Sequence, residues 1–166
     1  MIVRKEIKRI KAVLMDVDGV LTDGSFWLDS DSLEMKRFCF ADRTGISLAQ
    51  KAGIKIGLVS GESSPSGMAI VSRYAKKLKI NDVYKGCHDK AKAVIEYAKK
   101  YNFGLSEICF IGDDIIDLPA LKIVGLSVCP KDAHSTIVKV SNIVTKRSGG
   151  AGAVRELLDL LLSVKG

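Results

Sequence analysis

Short apolar runs alternate with longer amphipathic stretches along this chain. The apolar runs are typical of buried strands, which we predict over residues 12–16, 54–60, 107–111, 126–129 and 142–145, with a short extended piece at 82–84. The amphipathic stretches predict helices over residues 42–52, 66–78, 90–101, 116–122 and 153–164. Strands that alternate with helices imply an α/β fold with a parallel sheet that helices cover on both faces.

Residues 24–38 depart from this order. Apolar and polar residues alternate there around Asp29-Ser-Asp31, which predicts a β-hairpin. The 166 residues contain no repeat, low-complexity tract or Gly/Ser linker. We therefore expect a single domain over residues 1–166.

The composition, with 47% hydrophobic and 27% charged residues, is ordinary for a globular protein. The apolar run after the basic N-terminus covers only residues 12–15 before Asp16 interrupts it, which is too short for a signal peptide. No stretch approaches the roughly 20 apolar residues that cross a membrane. We expect a cytoplasmic protein without a membrane partner.

The formal net charge is +7, which raises the question of a nucleic-acid partner. The basic residues are spread along predicted helices, at 73–79 and 90–100, and aromatic residues do not interleave with them as a base-stacking surface requires. We expect no nucleic acid, and interpret the charge as a solvated face or an attraction for a small anionic substrate.

Polar residues follow three consecutive predicted core strands at their carboxyl ends. The first strand ends in Asp16-Val-Asp18, the second in Ser60-Gly61, and the third runs into Gly112-Asp113-Asp114. Because ligands of parallel sheets bind beyond the carboxyl ends of the strands, we expect these groups to surround one crevice. Each motif alone is weak, since Asp113-Asp114 would equally suit a helix cap, and the hypothesis depends on their joint placement.

These residue types suit phosphate chemistry. Asp16 and Asp18 point the same way in an extended chain, and they repel each other unless a cation or a proton separates them. With Asp113 they offer hard oxygen ligands for Mg²⁺, which would neutralise a phosphate and leave one aspartate free as a nucleophile. Ser60 and Lys90 add a hydroxyl and a movable cation for phosphoryl oxygens.

The four motifs together resemble those of the haloacid dehalogenase superfamily of phosphohydrolases. They are Asp16-x-Asp18-Gly-x-Leu-Thr22-Asp23-Gly24, Ser60-Gly61, Lys90 and Gly112-Asp113-Asp114-x-x-Asp117. With the tail Gly149-Gly150-x-Gly152, the chain is similar to the branch of 3-deoxy-D-manno-octulosonate 8-phosphate phosphatases and related nonulosonate 9-phosphate phosphatases. The resemblance implies a three-layer, Rossmann-like α/β fold with a β-hairpin flap and no cap domain.

The resemblance also implies roles. Asp16 would be the nucleophile that forms an aspartyl-phosphate, and Asp18 the acid and base, with its protonated form favoured by anionic neighbours. Mg²⁺ would be held by Asp16, Asp113 and the backbone carbonyl of Asp18. The residues that would bind the phosphoryl group are Ser60, Gly61 and Lys90. The acids that would support the metal and Lys90 are Asp114 and Asp117.

The spacing of the motifs leaves no room for a large cap, so something else must exclude water from the substrate. In the branch that the chain resembles, this enclosure is a tetramer in which the hairpins assemble. We therefore expect a homotetramer in which a neighbouring subunit helps to form each site.

The sequence leaves two sugar-acid phosphates open as substrates. Glu62 stands where octulosonate phosphatases usually carry an arginine, and with Lys77 it is similar to the nine-carbon phosphatases. Arginine grips a carboxylate bidentately, whereas Glu62 would repel it and leave it to Lys77, unless Glu62 is only a solvated loop residue. We take the octulosonate 8-phosphate as the first candidate and a nonulosonate 9-phosphate as the alternative. Two further residues are assigned to substrate specificity, Asp42 and Arg155.

Two non-enzymatic interpretations are also considered. A phosphorylation-switched receiver domain uses similar groups on a parallel sheet, but here Lys90 precedes Asp113 and Asp16 ends the first strand. A catalytically idle partner-binding module would be expected to have lost part of the set, which is intact.

Overall fold

The structure, a computed structural model, describes residues 4–31 and 33–165. The strands are β1 (Ala12–Met15), β2 (Trp27–Leu28), β3 (Glu34–Met35), β4 (Lys55–Val59), β5 (Asp82–Tyr84), β6 (Ile108–Ile111), β7 (Leu126–Cys129) and β8 (Ile143–Val144). The α-helices are α1 (Arg4–Arg9), α2 (Phe40–Lys51), α3 (Pro65–Lys77), α4 (Lys90–Tyr101), α5 (Leu118–Ile123), α6 (Ser135–Val140) and α7 (Ala153–Lys165). Short 3₁₀ helices span Leu105–Glu107 and Ile115–Asp117.

Six strands form one parallel sheet in the order β5-β4-β1-β6-β7-β8. β1 lies at its centre, with Ala12 opposite Lys55 on one side and Ile108 on the other. Every residue of β1, β6 and β7 is buried, as expected for strands that helices cover on both faces. The predicted parallel sheet is confirmed.

The alternation of side chains along β1 divides the core into two layers. Val13 and Met15 pack with residues of α2, α3 and α7, whereas Ala12 and Leu14 pack with residues of α4, α5 and α6. Successive strand residues point to opposite faces, so one apolar strand supplies both cores. The arrangement is the predicted three-layer fold, and no separate cap domain stands among the described residues.

Two helices, α1 and α6, are absent from the predicted elements. Each has only six residues, too few to show a helical repeat of apolar positions. The longer helices match their predictions closely, and α3 and α4 begin where side chains cap them. The Ser64 hydroxyl accepts a hydrogen bond from Gly67 N at the start of α3, and the Asp89 carboxylate accepts one from Lys92 N at the start of α4.

The predicted hairpin, called the flap here (residues 24–38, of which Ser32 lies outside the described residues), has only a short ladder. Trp27 pairs with Met35 and Leu28 with Glu34. Asp29 Oδ1 accepts hydrogen bonds from the backbone of the turn and so closes it. Within the described ranges, no helix is long and apolar enough to span a bilayer.

Candidate active site

The carboxyl ends of β4, β1 and β6 meet at one crevice of about 260 Å³, as the strand-end motifs predicted. Its lining is predominantly acidic and consists of Asp16, Asp18, Gly24, Gly61, Glu62, Asp113, Asp114 and Ile116. Ser60 lies beneath this lining, fully buried at the end of β4.

Lys90 is the buried cation that pairs with Asp16 of the crevice lining. Its Nζ lies 2.8 Å from Asp16 Oδ2 and 2.6 Å from Asp117 Oδ1. All three side chains are buried. Burial lowers the pKa of Lys90, but the two carboxylates outweigh it and raise that pKa above its ordinary value. The lysine is therefore held as a charged group between two acids.

Asp117 shapes the loop that follows β6. Its Oδ2 accepts hydrogen bonds from the backbone N–H groups of Asp113, at 2.9 Å, and Asp114, at 3.1 Å. The Asp114 carboxylate accepts one from Ile115 N and caps the 3₁₀ helix that follows. The expected support of Lys90 thus comes from Asp117, while Asp114 acts in the structure as a cap.

Asp113 carries an unsatisfied oxygen. Its Oδ1 is buried and has no hydrogen-bond partner among the described residues. Burial, with the charges of Asp16 and Asp117, raises the pKa of Asp113 to about 8. Burial also raises the pKa of Asp16, against the effect of Lys90. An uncompensated carboxylate at this position would be satisfied by a cation.

Carboxylate oxygens of Asp16, Asp113 and Asp117 lie within 4.8 Å of one another. Such a group of hard oxygens suits Mg²⁺, and the free Oδ1 of Asp113 offers a ligand atom, so the residues present fit the expected metal. The carboxylate of Asp18 lies outside this group, and Asp117 takes part in it. The sequence analysis named Asp117 only as a supporting acid.

Asp18 faces a cation that the sequence analysis missed. Lys36, from the flap, places Nζ 2.9 Å from Asp18 Oδ1 and 3.0 Å from Glu62 Oε2. The expected anionic neighbours of Asp18 are thus joined by one cation. No sequence signal distinguished Lys36, because a lysine within an alternating hairpin is usually solvated.

Glu62 is held firmly, and its side chain is only 18% exposed, so it is not a solvated loop residue. Its Oε1 accepts a hydrogen bond from Ser64 N at 2.8 Å, and its own N–H donates to Ser60 Oγ at 3.1 Å. Burial would raise the pKa of Glu62, but the bonds from Ser64 and Lys36 lower it to about 2.

The other three residues assigned to specificity lie outside this crevice. Lys77, at the end of α3, lines a separate hollow of about 420 Å³ beside Tyr74. Asp42 is fully buried in α2 and accepts a hydrogen bond from Arg155 N at 2.7 Å, which ties α2 to α7. The Arg155 side chain pairs with Asp159. Within one chain, only Glu62 of the four lines the crevice.

Comparison with known sequences identifies relatives along nearly the whole chain. The haloacid dehalogenase-like hydrolase family matches residues 67–157. A 3-deoxy-D-manno-octulosonate 8-phosphate phosphatase of Escherichia coli is 34% identical over 164 residues, which cover 99% of this chain and 85% of the relative.

Solved structures are also similar along nearly the whole chain. A 3-deoxy-D-manno-octulosonate 8-phosphate phosphatase from Yersinia pestis superposes with a TM-score of 0.93 at 32% identity, covering 98% of this chain and 86% of that one. The enzyme of this name from Moraxella catarrhalis, in complex with a magnesium ion, a phosphate ion and a KDO molecule, superposes with a TM-score of 0.92 at 35% identity and covers 98% and 91%.

Proposed function

Because the chain belongs to the haloacid dehalogenase-like hydrolases and is a phosphatase of that family, we propose that it hydrolyses 3-deoxy-D-manno-octulosonate 8-phosphate. The observation that carries the proposal is the arrangement of Asp16 and Asp113 after the adjacent strands β1 and β6, with Lys90 from the start of α4 paired to Asp16. Relatives of that activity are similar over nearly the full length, and one is solved with magnesium, phosphate and KDO.

Asp16 is the nucleophile in this proposal. Val17 N donates to its Oδ1 at 2.7 Å and Lys90 holds its Oδ2, so the carboxylate is fixed at the crevice. It attacks phosphorus to form an aspartyl-phosphate while Asp18 gives a proton to the departing alkoxide. Asp18 then takes a proton from the water that hydrolyses the intermediate, which restores both aspartates.

Ser60, Gly61 and Lys90 bind the phosphoryl group. The Ser60 hydroxyl accepts a bond from Glu62 N, so its own proton is left to donate to a phosphoryl oxygen. Lys90 has two of its three N–H groups directed at Asp16 and Asp117, and the third remains for phosphate.

Mg²⁺ is the cofactor in this proposal, held by Asp16, Asp113 and the backbone carbonyl of Asp18, with Asp117 and Asp114 in support. When bound, it neutralises charge on the phosphoryl oxygens. In its absence, the buried carboxylates of Asp16 and Asp113 face each other with Lys90 as their nearest cation.

The pairing of Glu62 weakens the sequence argument against the octulosonate. The sequence argument against the octulosonate was that Glu62 would repel a substrate carboxylate. Lys36 lies 3.0 Å from Glu62 and neutralises much of that charge. A nonulosonate 9-phosphate remains the comparison substrate, but the relatives described above do not favour it.

A homotetramer with shared sites belongs to the same proposal. The flap and the start of α2 expose a group of large apolar side chains: Phe26, Trp27, Leu28, Leu33, Met35 and Phe40. Surfaces of this kind mark protein contacts. Sedimentation equilibrium should give a tetramer, and a monomer at working concentration would contradict the proposed tetramer.

Residues 1–166 are proposed as one domain, because both core layers pack on one sheet.

Phosphate release tests the function directly. We expect repeated turnover of 3-deoxy-D-manno-octulosonate 8-phosphate and of p-nitrophenyl phosphate with Mg²⁺, and loss of both in Asp16→Asn. The matched control is Asp23→Asn, which changes an acid of the same motif that bonds Ser25 and Arg37 at the surface. Uptake of a single phosphate equivalent would indicate a receiver, and no turnover on a sugar-phosphate panel would indicate an idle module.

A further inference from the structure

Lys36 is the flap side chain that turns toward the crevice. Its neighbours Met35 and Arg37 are exposed, whereas the Lys36 side chain is 3% exposed. Its Nζ contacts one carboxylate of the loop after β1 and one of the loop after β4, Asp18 and Glu62. One ammonium group thus joins three segments that are distant in sequence.

The two carboxylates differ in how they are held. Glu62 has the further bond from Ser64 N, and its backbone is tied to Ser60 Oγ. Among the hydrogen bonds and ion pairs of the described residues, the Asp18 carboxylate has Lys36 as its single partner. A side chain with one charged partner takes its orientation from that partner. Glu62 therefore fixes Lys36, and Lys36 fixes Asp18.

The ammonium group remains charged in this position. Burial lowers the pKa of Lys36, but the bonds to Asp18 and Glu62 outweigh it and raise that pKa above its ordinary value. The ammonium group donates to Oδ1 of Asp18, which leaves Oδ2 to carry the proton that the departing alkoxide takes.

We infer that Lys36 is a positioning residue: by donating to Oδ1, it orients the Asp18 side chain so that Oδ2 serves the leaving oxygen of the substrate. The inference rests on the proposed phosphatase function, in which Asp18 gives a proton to the departing alkoxide. Lys36 itself acts through Asp18.

The dependence on the leaving group distinguishes this role from general support of the fold. An alkoxide needs a proton as it departs, whereas p-nitrophenolate leaves without one. In Lys36→Met, kcat/KM for the octulosonate 8-phosphate should fall at least about tenfold more than kcat/KM for p-nitrophenyl phosphate, a modest share of what a general acid contributes. Lys36→Arg keeps the charge and should recover most of this ratio.

Arg37→Met is the matched control, because Arg37 is the adjacent flap cation and pairs with exposed Asp23 at 3.3 Å. It should leave the ratio unchanged. A loosened or partly unfolded protein loses both rates by the same factor, so an equal loss in Lys36→Met would overturn the inference. If wild type hydrolyses p-nitrophenyl phosphate but not the octulosonate, the proposed substrate is wrong, and Lys36 is tested on the alkyl phosphate that wild type hydrolyses fastest.

Discussion

The ammonium group of Lys90 lies 2.8 Å from Oδ2 of Asp16, and both side chains are buried. The same ammonium group also pairs with Asp117. In the same cluster, Oδ1 of Asp113 has no hydrogen-bond partner among the described residues. The site therefore holds more negative than positive charge in a place that water reaches poorly. This excess of negative charge is the physical reason why the site suits a divalent metal. It also makes the site sensitive to pH and to substitutions that change its charge or its volume.

Replacing Lys90 should destabilise the fold. Lys90→Met leaves Asp16 and Asp117 buried without their cation, which we expect to cost about 3–5 kcal/mol of unfolding free energy. Lys92→Met, two residues along the same helix at an exposed position, should change it by less than about 0.5 kcal/mol. Urea unfolding without metal measures both. Equal effects of the two substitutions would contradict the buried triad.

Stability without metal should fall as the pH rises. Burial and two acids raise the pKa of Asp113 to about 8, whereas an aspartate in the unfolded chain titrates near about 3.9. Between these values the native protein holds a proton that the unfolded chain has released, so the free energy of unfolding decreases with pH across this window. Below it both states are protonated and the contribution is complete.

Mg²⁺ replaces this proton, so the rise in Tm that it causes should grow as the pH rises from about 5 to about 9. Calorimetry in EDTA and in Mg²⁺ across that range measures the effect. Asp113→Asn should reduce the pH dependence and leave the part that comes from Asp16, whose pKa burial raises to about 7. A metal-induced rise in Tm that is constant with pH would contradict the raised pKa of Asp113.

Gly19 and Gly53 have nearly the same φ, so alanine at each position allows the effect of backbone strain to be measured separately from the effect of a displaced Asp113. Gly19 has φ +84° and Gly53 has φ +83°. An added Cβ at Gly19 would overlap the Asp113 carboxylate, whereas nothing lies within 4 Å of one at Gly53. Both alanine variants should lose about 1–2 kcal/mol through the left-handed backbone.

Gly19→Ala alone should also weaken Mg²⁺ binding, by at least about tenfold, because Asp113 must move. Isothermal titration with Mg²⁺ gives the affinity, and unfolding gives the stability of each variant. The same Mg²⁺ affinity in Gly19→Ala and Gly53→Ala would argue against Asp113 as a ligand.

Glu62 should influence the choice of sugar acid. Octulosonate phosphatases usually carry arginine at this position, where it can grip a carboxylate bidentately, so Glu62→Arg should raise the ratio of kcat/KM for the octulosonate 8-phosphate over N-acetylneuraminate 9-phosphate by about tenfold. Glu62→Gln removes the charge without adding this grip and should leave the ratio within about twofold. An unchanged ratio in Glu62→Arg would remove Glu62 from the specificity argument.

Most of the fold followed from local pattern. Continuous apolar runs such as Ala12–Met15 and Ile108–Ile111 predicted central strands, because a strand covered on both faces has no polar side. Helix α6 escaped prediction because six residues carry too little periodicity. The flap was predicted, but its paired part is only two residues on each strand.

The site was predictable where its residues stand at strand ends. Asp16, Ser60 and Asp113 are placed by β1, β4 and β6, and the parallel topology brings them together without further information. The specificity residues that were assigned on helices do not lie at the crevice within one chain. Lys77 lies in a separate hollow, and Asp42 joins two helices.

The amino-acid sequence by itself determined the parallel sheet, the crevice and the acids around it, because the order of elements along the chain and the residues at strand ends follow from local sequence. Only the tertiary structure decided which lysine pairs with which carboxylates. Lys36 meets Asp18 and Glu62, and Lys90 lies between two acids, through contacts between segments far apart in the chain. Such pairs depend on burial and distance in three dimensions, and no periodicity along the chain encodes them.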